Sequence, residues 1–486
     1  MKTIGRDFGD VARKVYATAS GVLPNGKPVV VNADGTVSVI SGIDQALGSA
    51  VVFEAANALQ IKATFDSSNN KIVIAYSDVG NSRYGTAIVG TISGTSISFG
   101  TAVVFEAATV YNVSATFDSN ANKVVISYRD AGNSNKGTAI VGTVSGTNIS
   151  FGTAVIFFNG SCQQISSTFD SNVNKVVITF QSVVSSPYPV SAIVGTVSGT
   201  GISFGTAAVF NNANTGGQVV TFDSSANKVV IAYKDIGNSS YGTAIVGTIS
   251  GTDISFGTEV VFNSTNGDQL GLDYDATAQK VVIAYRNFGN SSYNNPGTAI
   301  VGTVSGTGIS FGTAALYNTA AVGTYSSVVY NAAVQKTVIF YLDAGNSSYG
   351  TFVVATISGT SISFGTKAVF ENAAANFLSA VYDSNAQKIA IAYQDAGNSN
   401  YGTAIVSQTG STNITAENYI GMTPSAYPDG AGAEIDTKGA INTEQSGLTA
   451  GQSYYVQNDG TITTTAGTPS VFAGTAVSAT KLIVKG

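Results

Sequence analysis

The chain has 486 residues, of which 10% are charged and 44% apolar, with a formal net charge of −6, one cysteine and no histidine. That inventory excludes an intrachain disulfide, the Ser-His-Asp and Cys-His catalytic sets and the usual zinc, copper and haem ligand sets. Five arginines (Arg6, Arg13, Arg83, Arg129, Arg286) leave no basic footprint for a nucleic-acid backbone, and no window approaches the run of about 18 apolar residues that a membrane helix needs.

Residues 1–42 form a first segment. Its opening 14 residues carry charge throughout and hold no apolar run of secretory-signal length, so the expectation is assembly without the ordinary export route. A short stretch here reads as helical. Pro28 to Ile40 then reads as two strands joined at Asp34-Gly35, a strong hairpin dipeptide.

Residues 43–410 are a repeat array. Ile-Ser-Phe-Gly-Thr begins at Ile97, Ile149, Ile202, Ile254, Ile309 and Ile362, with Leu47-Gly48-Ser49 as a worn first copy. A second anchor, an aromatic followed by Asp/Asn and then by Asn/Gln-Lys, starts at Phe65, Phe117, Phe169, Phe222, Tyr274, Tyr330 and Tyr382. Successive anchors lie 52, 52, 53, 52, 56 and 52 residues apart, and the one long unit holds the insert Tyr293 to Gly297. Each unit offers four strand-like runs: in the second, Ile97 to Phe105, Val113 to Phe117, Lys123 to Tyr128 and Gly137 to Val144, parted by Asp/Asn/Ser/Gly turns. Seven such units predict an all-β fold, a seven-bladed β-propeller with four-stranded blades. The unbroken apolar third run suits a middle strand covered on both faces. Because the array opens on the Ile43 to Phe53 strand and closes on Gly402 to Val406, one blade is split between its two ends, and the N-terminal strand closes the ring.

Residues 411–486 leave the pattern and are similar to the N-terminal segment, Gly447 to Thr461 matching Gly21 to Thr36 with an Asn-Asp-Gly-Thr turn against Asn-Ala-Asp-Gly-Thr. The two ends are expected to form one small β module. These flanking segments, Leu-Pro-Asn-Gly…Val-Asn-Ala-Asp-Gly-Thr-Val and Leu-Thr-Ala-Gly-Gln-Ser-Tyr-Tyr-Val-Gln-Asn-Asp-Gly-Thr, around a low-charge Gly/Ser/Thr/Asn-rich array, resemble virion surface proteins of tailed phages, particularly aquatic ones. The resemblance implies a fibre, spike or capsid-decoration component on the virion surface. In it the terminal module attaches to other virion proteins, and the propeller, in many copies or as a homo-oligomer, faces outward.

For catalysis, a sialidase-type site needs clustered arginines and a Tyr/Glu pair, which five scattered arginines do not supply. Glu54, Glu106, Glu259 and Glu371 are read as recurring after the Val-Phe strand, and residues repeated in several blades serve the repeat rather than a paired-carboxylate site. Asp118 to Asn122 and Asp170 to Asn174 imitate half a calcium loop without its Gly and distal Glu, so they read as Asx turns and no metal or cofactor is expected. The loop Asp78-Val-Gly-Asn-Ser-Arg-Tyr84 recurs at 235–241, 343–349 and 395–401, with 130–136 and 287–293 as variants. Since connections alternate between faces, it shares a face with the segments that differ most between units, 54–59, 211–216 and 263–268. Asn81, Tyr84, Asn238, Tyr241, Tyr293, Asn346, Tyr349, Asn398 and Tyr401 are therefore the candidate ligand contacts. Their rings suit the apolar side of a sugar and their amides its hydroxyl groups, packing being the alternative for each tyrosine. The divergent loop Gln181 to Pro189 is either a special contact or drift. The expectation is a non-enzymatic attachment or decoration protein that binds no nucleic acid. The alternatives are a bacterial extracellular lectin or adhesin, or a carbohydrate-cleaving enzyme.

Overall fold

The computed structural model describes residues 13–43, 45–290, 292–415, 417–467 and 469–485, with the backbone alone described at residue 43. Among these residues every element longer than a single 3-10 turn is a β-strand, and the ladders that build the repeat sheets run antiparallel. The chain divides into two compact units: Leu47–Gln408, and the described parts of Met1–Ala46 with Thr409–Gly486.

The second repeat shows how pattern becomes sheet. Lys123–Asp130 is apolar without alternation because both faces are covered, and Val124, Val125, Ile126 and Tyr128 expose nothing. Each such side chain contributes about 1.5–3 kcal/mol on burial. On one side this strand pairs with the second half of Val103–Asp118, and on the other with Lys136–Ser145. The outer position is shared, Asn148–Phe151 lining one end of Lys136–Ser145 and the start of Val155–Asp170 the other.

Val155–Asp170 then continues into the next sheet as its inner strand. The sequence reading had two separate runs here. Instead a single strand of 16 residues serves two sheets, bending where the ladder shifts and a residue enters the left-handed region: Gln60, Asn112, Gln164 and Gln269, with φ between 49° and 56°. In the fourth and seventh repeats the strand is interrupted, as Ala208–Asn211 with Thr215–Asp223 and as Ala368–Glu371 with Ala375–Asp383.

The last repeat meets the first. Val51–Asp66 pairs with Tyr401–Gln408 through Tyr401↔Asn57, Gly402↔Glu54, Thr403↔Val52 and Ala404↔Val51. Hydrogen bonds also link the inner strands of consecutive repeats at each junction. Gln60 Oε1 accepts from Asn112 N (3.0 Å), Ser114 Oγ from Ser167 N (3.0 Å), Gln164 Oε1 from Gly217 N (2.9 Å) and Ser327 Oγ from Ala380 N (3.1 Å). Asp273 joins repeats four to six by accepting from Thr221 Oγ1 (3.5 Å) and Tyr330 N (2.8 Å), and Ser379 Oγ returns to Ala63 N (3.0 Å). These donors lie on the free edge of each inner strand, so the neighbouring repeat satisfies them.

Repeats also meet through a glycine. A Cβ on Gly152 would lie 2.0 Å from the Thr200 carbonyl oxygen of the next repeat, whereas at Gly365, whose follower lacks the Ser-Gly-Thr turn, the nearest atom is 3.7 Å away. Inside, an aromatic pair recurs from Phe53–Tyr76 (5.3 Å between centroids) through Phe157–Phe180 (5.4 Å) to Phe370–Tyr393 (5.6 Å).

The terminal unit holds two five-stranded sheets of one topology. The first runs Lys14–Thr18, Gly432–Asp436, Tyr419–Met422, Pro28–Val31, Val37–Val39; the second runs Ile441–Asn442, Lys481–Val484, Val471–Ser478, Ser453–Val456, Ile462–Thr463. Their registers correspond: Val29↔Gly421 matches Tyr454↔Gly474, and both ladders break at the following residue. Asp34 and Asp459 each accept from the backbone N and Oγ1 of Thr36 and Thr461. The similarity of the two end segments is thus a duplication. The second copy joins its third and fourth strands by residues 464–470, and the first carries the whole repeat array at that point. Val30, Tyr419 and Met422 of one sheet share a core with Tyr454, Val456 and Leu482 of the other.

The short helical stretch expected ahead of Pro28 does not occur among residues 13–27, where Lys14–Thr18 is instead a strand paired with Gly432–Asp436; residues 1–12 lie outside the described residues.

Candidate functional site

Two connections meet at one end of each repeat sheet: the loop between second and third strands, and the bend of the long strand. A Cβ on Gly80 would lie 2.5 Å from Ala56 Cβ, and on Gly132 2.5 Å from Ala108 Cβ. Val110 N donates to Arg83 O (3.1 Å) and Ala58 N to Asn400 O (3.3 Å).

Within the loop most residues are committed to backbone geometry. Asp78 caps a 3-10 turn, Val79–Asn81, accepting from Asn81 N (3.1 Å), as Asp130 does with Asn133 N, while Asp235 and Asp395 accept from Asn238 N and Asn398 N in plain turns. Ser82 and Arg83 both take left-handed φ (56° and 63°), as do Ser239 and Ser240, Ser347 and Ser348, and Ser399 and Asn400. Two types of side chain remain uncommitted. Those of Asn81, Asn238, Asn346 and Asn398 are exposed, and Tyr84, Tyr241, Tyr349 and Tyr401 are half-buried at the start of the third strand. Tyr293 departs from its assigned place. Pro296 occupies the strand-opening position in that repeat, pairing with Ala321 as Tyr241 pairs with Asn266, so the insert displaces Tyr293, 43% exposed, into the loop.

Beneath the loops lies a set of pairs absent from the sequence reading. Tyr76 Oη donates to Glu54 (2.9 Å), Tyr128 to Glu106 (2.9 Å), Tyr393 to Glu371 (2.7 Å) and Tyr233 to Glu259 (2.6 Å). Glu259 differs from the other three, since it precedes the Val-Phe strand and also binds Asn211 Nδ2 (3.0 Å). Burial, reinforced by Asp78, Asp130 and Asp395, holds Glu54, Glu106 and Glu371 above the ordinary glutamate range against the tyrosine hydrogen bonds. Burial likewise pushes the four tyrosines far up, so each is a neutral donor fixing a carboxylate. Two of the arginines lie in separate repeats with separate partners: Arg129 over Tyr111 (4.3 Å), and Arg286 on Asp268 (2.9 and 3.1 Å) and over Phe288 (4.5 Å). In the divergent third-repeat loop, Gln181 is fully buried and bonded to Gln163 (2.6 Å) and Asn214 (2.7 Å), while Val184 is 64% exposed.

The opposite end is spent on turns. Asp118 Oδ1 accepts from Asn120 N (3.0 Å) and Ala121 N (2.8 Å), Asp170 repeats this with Asn172 N and Val173 N, and Asn122 and Asn174 supply left-handed φ. Lone pairs that a calcium ion would use thus already face N–H groups. No group of three or more Cys, Asp or Glu among the described residues is placed to hold a metal.

A cavity of about 360 Å³ lies where the inner strands leave their bends, lined by residues of every repeat, Gln60, Lys62, Gln164, Gln218, Tyr325 and Phe377 among them. Lys62 was not singled out from the sequence. Its signal is the register: it pairs with Ala75 as Ser114 pairs with Ser127 and Ser379 with Ala392, so a lysine stands where other repeats carry Ser, Val or Gly.

No family model and no curated protein sequence matches this chain. Similar solved structures include a protein of unknown function from Dyadobacter fermentans (8% identity, 62% of this chain and 94% of that one, TM-score 0.44). Another is a triple arginine-to-alanine mutant of AofleA from Arthrobotrys oligospora (7%, 69% and 93%, TM-score 0.42). A third is a leech intramolecular trans-sialidase with 2,7-anhydro-Neu5Ac (6%, 74% and 70%, TM-score 0.44). Overlaps this distant carry no inference about ligand or chemistry.

Proposed function

We propose that this chain is a non-enzymatic virion surface protein of the tailed-phage kind. Its repeats form a seven-bladed β-propeller that contacts a host-surface glycan, and its duplicated terminal unit attaches to other proteins of the particle. The virion reading rests on the resemblance of the terminal segments. The seven-bladed ring is supported by the inner-strand hydrogen bonds at each junction and by the pairing of Tyr401–Gln408 with Val51–Asp66. One observation carries the binding reading: at one end of the sheets, exposed asparagines and half-buried tyrosines recur with no side-chain hydrogen bond among the described residues, beside segments that differ from repeat to repeat. Folding does not require those side chains, and they suit a sugar ring and its hydroxyls.

Purified protein should bind host cells and block adsorption of the source phage, and gold-labelled antibody should decorate intact particles. Unlabelled particles would overturn the virion reading; labelled particles with no binding to cells would overturn the attachment role.

A further inference from the structure

We propose that the cavity shared by the seven repeats binds a small sugar carboxylate, with Lys62 as its charge contact. The inner-strand position of Lys62 has a defined job elsewhere: Ser114, Ser327 and Ser379 each use it to accept a backbone N–H of the next repeat. Lys62, having no acceptor atom, forgoes that link. Its ammonium makes no ion pair or hydrogen bond among the described residues, although water reaches it inside the cavity. Lys62 is solvent-exposed within the cavity, and the desolvation imposed by the protein packed around that cavity lowers its pKa from the ordinary lysine value. A cation that gives up a fold contact and is itself disfavoured there is accounted for by an anion that it meets.

The rest of the lining narrows the class. Gln218 is 4% exposed and its Oε1 has no partner, while its Nε2 donates to Gln164 O. The amides of Asn112 and Gln269 likewise have no side-chain partner among the described residues, and Tyr325 and Phe377 form a ring pair with centroids 4.9 Å apart in the wall. One cation, several neutral amides and an aromatic surface fit a monoanion rich in hydroxyls with an apolar ring face. A nucleotide or bisphosphate would bring more charge than one lysine meets, and a neutral sugar would leave the ammonium unpaired. The volume lies near the lower bound of small-molecule sites, roughly 300 Å³, so the ligand is one or two sugar residues. This site is separate from the tyrosine loops and does not depend on their role.

Calorimetric titration of the full chain with glucuronate, galacturonate and N-acetylneuraminate, against glucose, galactose and inorganic phosphate, tests it. At least one sugar carboxylate should bind, with the neutral sugars weaker by about tenfold or more. Lys62→Ser and Lys62→Met should both lose that binding, and Lys62→Ser should keep or raise the melting temperature by restoring the repeat's hydrogen bond. Alanine at Tyr84, Tyr241, Tyr349 and Tyr401 should leave the titration unchanged, which separates this site from the attachment reading. Binding of phosphate alone, equal binding of neutral sugars, undiminished binding by a folded Lys62 variant, or no binding by any sugar carboxylate would each overturn the proposal.

Discussion

Both ends of a repeat sheet are built from Asp, Asn, Ser and Gly, and they differ in the residue that follows. In the turn Asp118 to Asn122, Asp118 accepts two backbone N–H groups, Asn122 supplies the left-handed φ, and the strand resumes at Lys123. In the loop 78–83, Asp78 accepts one backbone N–H and Ser82 and Arg83 supply the left-handed φ, and Asn81 is exposed there as Asn120 is in the turn. The backbone roles and the exposed amides are thus alike at both ends, and what sets the loop apart is the half-buried tyrosine that opens the strand after it, Tyr84 where the turn leads into Lys123.

That contrast breaks first where repeats touch. Gly152→Val would push a side chain against the Thr200 carbonyl, and should cost about 3 kcal/mol by chemical denaturation. Gly365→Val, with no atom nearer than 3.7 Å, should cost less than about 0.5 kcal/mol. Equal losses would mean the close approach does not govern packing. Next in size, Asp118→Ala strips an acceptor from two N–H groups and should cost about 1–2 kcal/mol, against less than about 0.5 for Asn81→Ala.

A smaller effect sharpens the comparison through pH. Glu106 titrates above the ordinary value of 4.5 in the folded chain, so its contribution is fully present below 4.5 and is lost as pH rises through the raised folded pKa. Glu106→Gln removes this dependence while keeping an acceptor for Tyr128. The variant should melt at or above the parent temperature at pH 7, and the gap should close on acidification toward 4.5. A gap that widens on acidification would reverse the sign. The smallest effect expected is none: EDTA should leave the melting temperature unchanged, since the turn carboxylates already face N–H donors.

The repeat period, the covered middle strands and the Asx turns were legible because their signals are local: an anchor every 52 or so residues, an apolar run, an Asp two residues before its donor. Features set by distant partners were not. Lys14–Thr18 is a strand because Gly432–Asp436 lies beside it, far along the chain. Val103–Asp118 runs unbroken through Glu106-Ala107-Ala108, which shows no alternation, because two different sheets claim its halves. Tyr293 looked like Tyr241 until the register gave its place to Pro296. The Asn and Tyr candidates were legible as a recurrence. The pairing of Tyr76 with Glu54 and the setting of Lys62 required knowing which strands are neighbours.

The most direct test of the central claim sets one end of the sheets against the other. Alanine at Tyr84, Tyr241, Tyr349 and Tyr401 together is compared with alanine at Ser67, Ser119 and Ser224, the exposed residues that follow Asp66, Asp118 and Asp223 in the turns of the opposite end, in binding of purified protein to host cells and in circular dichroism. The tyrosine variant should fold and lose attachment, each contacting ring being worth on the order of 1 kcal/mol, while the serine variant binds as the parent does. Loss of attachment in the serine variant with retention in the tyrosine variant would contradict the account.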